Sequence, residues 1–181
     1  LSSDAVDLDP SDDTALEVTL VLVVHGPLVN SERISLPTEG AALLYPSAIF
    51  VSGATAAVYQ VSVMLEGLTH PFPDDLDVLL VAPHGEGAWL MSDAGGSQAV
   101  TDLRLAFAET ASAALPDGSP LVSGVFRPTD YAPLQEPMPP PAPPPPYGTN
   151  LSGFTGLDPN GPWSLYVRDD AAGNTGSIER G

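Results

Sequence analysis

The chain has no cysteine and no lysine. Without cysteine there are no disulfides, no thiolate nucleophile and no Cys-ligated metal or redox centre. The compartment stays open, because 181 residues can bury a core without covalent staples. Positive charge is scarce: all 5 basic residues are arginine and they face 23 acidic ones, for a formal net charge of -18. Such a surface repels nucleic acid and anionic bilayers and attracts cations. Long apolar runs are missing too. The longest, Leu20-Val21-Leu22-Val23-Val24, is far short of the roughly 20 residues of a membrane span, so no membrane insertion is expected. The opening Leu1-Ser2-Ser3-Asp4 lacks the basic start of a signal peptide.

Catalytic patterns are equally sparse. The histidines are His25, His70 and His84, none in a catalytic spacing, and there is no Gly-x-Ser-x-Gly elbow or His-Glu-x-x-His pair. His84-Gly85-Glu86 reads as a turn rather than as a piece of a zinc site. Gly95-Gly96 is followed by neither a lysine nor a helix, so it is no phosphate cradle. Asp75 and Asp77 lie too close together on one strand for paired acid–base work. No catalytic residues are expected and the chain does not read as an enzyme.

What is present is a succession of short strands. Residues 1–14 form an acidic arm with Asp4, Asp7, Asp9, Asp12 and Asp13, read as solvated rather than as a shared calcium site. In the next stretch Leu16, Val18, Leu20, Leu22 and Val24 alternate with Glu17, Thr19, Val21 and Val23, which predicts a strand ended by Gly26-Pro27. Further strands are expected at 33–37, 47–51, 57–65, 76–82, 88–92, 99–107, 124–127 and 163–168, punctuated by Gly, Pro and Asp clusters. Only 109–114 has a helical pattern. Many strands with almost no helix predict an all-β fold, an antiparallel β-sandwich or jelly roll. Trp89 and Trp163 sit in alternating strands and are expected in the core.

Residues 128–150 form a Pro-rich loop, with Pro139-Pro140-Pro141 and Pro143 to Pro146 favouring extended polyproline II. It is read as a stiff loop closing on Tyr131 and Tyr147, the other reading being a ligand for proline-recognising domains. Asn150-Leu151-Ser152 is a glycosylation sequon. The division is an acidic arm plus N-terminal strand over 1–32 and a sandwich over 33–181.

Four motifs in order carry a family resemblance. Leu68-Thr69-His70 precedes Asp75-Leu76, the apolar Val78–Val81 and the Pro83-His84-Gly85 turn. Gly161-Pro162-Trp163-Ser164-Leu165-Tyr166-Val167-Arg168-Asp169 follows the form Gly-x-Trp-x-Leu-x-Val-x-Asp. Gly173-Asn174-Thr175-Gly176-Ser177-Ile178 follows Asp-x-Gly-x-Leu, with Asn174 in place of Asp. Over 33–181 the chain resembles the P domain of proprotein convertases, most nearly the P-domain-like modules of bacterial secreted and surface proteins. The resemblance implies a non-catalytic, extracellular or cell-surface β-sandwich and a structural role for His70.

It also implies calcium. Asp74, Asp75 and Asp77 open one strand, and Asp169, Asp170 and Asn174 follow another; Asp93 lies in the Ser92–Gly96 turn. Hard oxygen donors on converging loops suit Ca2+, although Asp is also a favoured turn residue. In the family a last strand of the form Trp-x-Leu-x-Ile follows the Ile178 turn, and the sandwich is expected to lack that strand of its own. The alternating residues Leu16, Val18, Leu20, Leu22 and Val24 match it, so a strand donated by a neighbouring copy is expected to fill the gap and build a homopolymer, a surface filament. The alternatives are a calcium-dependent adhesion module taking a glycan or peptide, or an accessory domain of a secreted subtilisin-like protease.

Overall fold

The computed structural model describes residues 27–132 and 136–181. The chain is all-β, two mixed sheets packed as a sandwich. Its strands are β1 (Ile34–Leu36), β2 (Gly40–Ala41), β3 (Ser47–Val51), β4 (Ser62–His70), β5 (Leu76–Val81), β6 (Gly87–Ser92), β7 (Val100–Ala108), β8 (Gly124–Phe126), β9 (Thr129–Asp130), β10 (Gly161–Asp169) and β11 (Gly176–Ile178). One sheet runs β1-β11-β4-β7-β8. The other runs β2-β10-β5-β6-β9, with β3 also on β10.

Alternation predicts most of these strands within a residue or two. The expected strand at 57–65 instead begins at Ser62 and runs on to His70. Gly67 does not end it: at φ +73 it forms a bulge, and the register with β7 shifts there while pairing continues. Upstream, the backbone of Val58 pairs with Leu157 and Gly156 rather than with a strand. The expected helix at 109–114 is a turn, since six residues bury too little to hold a helix. Nor are the sheets wholly antiparallel, because β6–β9 and β7–β8 pair in parallel. A loop over 109–123 carries the chain back from β7 to β8, and Arg127-Pro128 then lead across to β9 in the other sheet.

The main core lies between the sheets. Leu65, Leu68, Leu105, Phe107 and Ile178 from the first sheet meet Val78, Leu80, Leu90, Leu165 and Val167 from the second. A second apolar cluster covers the outer face of the second sheet, where Leu79, Val81, Trp89 and Tyr166 pack under Met138 and Tyr147. The Pro-rich loop provides that cover. The Tyr45 hydroxyl donates to the Pro139 carbonyl at 2.7 Å and the Tyr147 hydroxyl to the Pro143 carbonyl at 2.5 Å. Trp89 meets Tyr147 edge-on at 5.2 Å. Tyr147 is buried and the Tyr131 hydroxyl donates to the Leu115 carbonyl, while Pro137, Pro140, Pro141, Pro144 and Pro146 are exposed.

Trp89 is fully in this second cluster, whereas Trp163 is partly buried, edge-on to Phe154 and donating to the Pro159 carbonyl at 2.9 Å. Asn150 caps the short turn Leu151–Phe154, its side chain accepting from Gly153 N–H.

Candidate functional site

The acidic candidates gather at one end of the sandwich. Asp74 and Asp75 lie in the 3-10 turn Pro73–Asp75 that leads into β5. Asp169 closes β10 and Asp170 follows it. These two loops meet: the Asp170 N–H donates to the Asp75 carbonyl at 2.9 Å, and Asn174 hydrogen-bonds the Asp75 carboxylate.

Two of the seven candidates are held within about 3 Å by a basic side chain. Asp77, on the outer face of β5, sits directly across from Arg168 on β10. The Arg168 Nε donates to it at 2.9 Å, and Nη2 also reaches it. Asp169 is fully buried, 3.0 Å from Nε2 of the equally buried His70. The other ring nitrogen of His70 lies 2.7 Å from the Phe72 carbonyl. His70 thus ties β4 to the end of β10.

The others keep free oxygen valence. Asp74 accepts from Gly96 N–H at 3.2 Å. Asp93, in the left-handed region at φ 49, accepts from the Ser92 hydroxyl at 3.1 Å. Burial pushes the carboxyls of Asp75 and Asp93 up, aided by Asp169 beside the first and Asp74 beside the second. Asp77 is also raised by burial, against the opposing pull of Ser92 and Arg168. Asp170 is pushed to about 6 by burial and the nearby Asp77 charge.

Two acids and one base of this rim carry no signal in the sequence. Asp130 on β9 is raised by burial, and Glu136 lies in the Pro-rich loop. Asp77, Glu136 and Asp170 each bring a carboxylate oxygen within 4.8 Å of the others. A cation already occupies that trio: Arg168 Nη2 is 2.7 Å from Glu136 and 3.8 Å from Asp170 as well as on Asp77. Asp74, Asp75, Asp93 and Asn174 lie on the same rim outside that trio, and their donors are hard oxygens, the kind Ca2+ takes.

The second feature is an edge. Glu66 N–H donates to the Arg180 carbonyl at 2.9 Å and the Glu66 carbonyl accepts from Glu179 N–H at 2.9 Å, so the segment after β11 runs along β4. Strand alternation turns the N–H and C=O groups of Met64 and Ser62 to the same side. That segment reaches Met64 and Leu65 at Gly181; among the described residues none runs beside Ser62 and Val63 on that side, although Leu65 is fully buried and Val61 and Val63 pack against the core. Asn30 and Gly181 flank the mouth of this lane, joined by paired backbone hydrogen bonds of 2.7 and 3.1 Å. Leu16, Val18, Leu20, Leu22 and Val24 lie outside the described residues.

The fold defines the class of the chain, an all-β sandwich. No protein-family model matches it, and no curated protein matches it.

Proposed function

We propose that this chain is a non-catalytic, extracellular structural module that assembles with copies of itself by strand addition. What supports this reading is the β4 backbone beyond Gly181, which no described residue pairs on that side, together with the alternating Leu16, Val18, Leu20, Leu22 and Val24 in the sequence before Asn30. An open sheet edge over an apolar core is a template for another strand. Four residues of β4 offer about 13 Å of pairing length, enough for four residues such as Glu17-Val18-Thr19-Leu20. Val18 and Leu20 then enter the core side.

In this reading the donor is a neighbouring copy. The test is analytical ultracentrifugation of the full chain against a chain lacking residues 1–26. The expected result is concentration-dependent association of the full chain only, with fibres in negative stain. A full chain that stays monomeric at every concentration overturns it.

A second reading is a calcium-dependent module of the P-domain kind, favoured by the meeting of the Asp75 and Asp170 loops. The two readings are compatible, because the acidic rim and the β4 lane involve different residues.

A further inference from the structure

Asn160-Gly161, at the entry to β10, is a chemically labile pair, because a glycine puts no side chain in the way of its own backbone nitrogen. That nitrogen can attack the Asn160 Cγ. The N–Cγ bond forms, the Cγ–Nδ2 bond breaks, and ammonia leaves with the proton that the nitrogen gives up. Water then opens the cyclic imide at either carbonyl, giving aspartate or isoaspartate.

The fold requires both members of this pair. Gly161 sits at φ +124, and a Cβ there would lie 2.8 Å from the Pro83 Cβ, so only glycine fits. The Asn160 side chain holds both backbone groups of Ala54. Its Oδ1 accepts from the Ala54 N–H and its Nδ2 donates to the Ala54 carbonyl, each at 2.9 Å. Nδ2 also donates to Asp158 at 2.7 Å, and the Asn160 N–H donates to the same carboxylate at 2.9 Å. A carboxylate at position 160 offers acceptors alone and cannot replace the Nδ2 bonds.

We infer that Asn160 is a latent deamidation site, held shut by the loop between β3 and β4 that carries Ala54. Ring closure makes Cγ tetrahedral and expels Nδ2, so it cannot proceed while Ala54 and Asp158 hold the amide in place. Each hydrogen bond is worth a factor of roughly five, and the two to Ala54 together slow the reaction about thirtyfold against the unfolded chain. Conversion is then paced by local opening of that loop. Its products lock the change in. Aspartate sets a second carboxylate against Asp158 and deprives the Ala54 carbonyl of its Asn160 donor. Isoaspartate adds a methylene to the backbone just before Gly161, which pairs with Val51 at the end of β3, and so disturbs the β3–β10 register.

The test is peptide mapping by mass spectrometry of the full chain, aged in mildly alkaline buffer with and without denaturant. Conversion at Asn160 is expected to be about thirtyfold slower in the folded chain. Asp158 is exposed, and Asp158→Ala, which removes one partner of the amide, should speed conversion roughly fivefold in the folded chain. Asn160→Asp, the product made in advance, should lower the thermal midpoint by about 3–6 °C, from the lost donor to Ala54 and the like charge beside Asp158. Equal rates in the folded and denatured chain overturn the inference. So does a folded chain in which Asp158→Ala brings no acceleration, or an Asn160→Asp chain with an unchanged midpoint.

Discussion

Asp77 and Arg168 are direct cross-strand neighbours on β5 and β10, and their ion pair is buried beneath the start of the Pro-rich loop. Arg168 also donates to Glu136 and the Pro137 carbonyl. One guanidinium therefore joins two strands to the cover of the second apolar cluster. Removing it strands a buried carboxylate and frees one end of the loop. Arg168→Ala should destabilise by about 3 kcal/mol, within the range for breaking a buried pair. Chemical denaturation measures it, and near-ultraviolet circular dichroism should report loosened packing of Trp89 and Tyr147.

The pH dependence should run opposite to ordinary acid denaturation. Asp170 titrates near 6 in the folded chain, above its ordinary value of 3.8. Between those values the folded state binds more protons than the unfolded state, so stability falls as pH rises through this window. Asp75, Asp77, Asp93 and Asp130 are shifted in the same direction. The melting midpoint should therefore be higher at pH 5 than at pH 7. Asp170→Asn should raise the pH 7 midpoint by on the order of 1–3 °C and flatten the slope. Scanning calorimetry at the two pH values checks both.

Calcium should act on the same strain. An ion held among Asp74, Asp75, Asp93, Asp170 and Asn174 favours the ionised carboxylates against the burial that raises Asp75, Asp93 and Asp170. Calcium at a hundredfold excess over its dissociation constant adds about 2.7 kcal/mol, so millimolar calcium should raise the midpoint at pH 7 more than at pH 5. Asp93→Asn should blunt the response while Asp77→Asn, on the arginine-filled trio, should not. An unchanged midpoint removes calcium from the account.

Gly176 should tolerate no side chain. A Cβ there falls inside van der Waals contact of the His70 ring and the Thr69 carbonyl. Because His70 is the link between β4 and Asp169, displacing it disturbs a fully buried polar pair. Gly176→Ala should cost roughly 2–3 kcal/mol, measured by denaturant titration, with the loss concentrated in β11 and β4 by hydrogen exchange.

Much of this fold is legible because strands such as β3, β5 and β7 stand out as short apolar or alternating runs between Gly, Pro and Asp clusters. The strands β2, β9 and β11 are two or three residues long, too short for any period to register. Gly67 read as an ending because a bulge and a turn ask for the same residue. The loop cover had an indirect signal: Val78-Leu79-Leu80-Val81 is apolar on both faces, which requires material on both sides of β5. The meeting of the Asp75 and Asp170 loops was expected. Arg168 was not, since its partner Asp77 is 91 residues away and only the sheet register brings them face to face. Asp130 and Glu136 join the rim through loop paths that no local pattern encodes.

The paired backbone of Asn30 and Gly181 also decides how the module answers force. β1 and the segment after β11 are antiparallel neighbours, so tethers attached at residue 27 and at Gly181 leave the sandwich at the same corner. Tension between them loads the Asn30–Gly181 pair first and the β1–β11 ladder after it, one rung at a time. A ladder opened in this way yields at low load. A strand laid into the β4 lane and pulled along its own axis is loaded in shear, every rung at once. Links between copies would then outlast the fold of each copy, and a stretched chain of modules would lengthen before it parted.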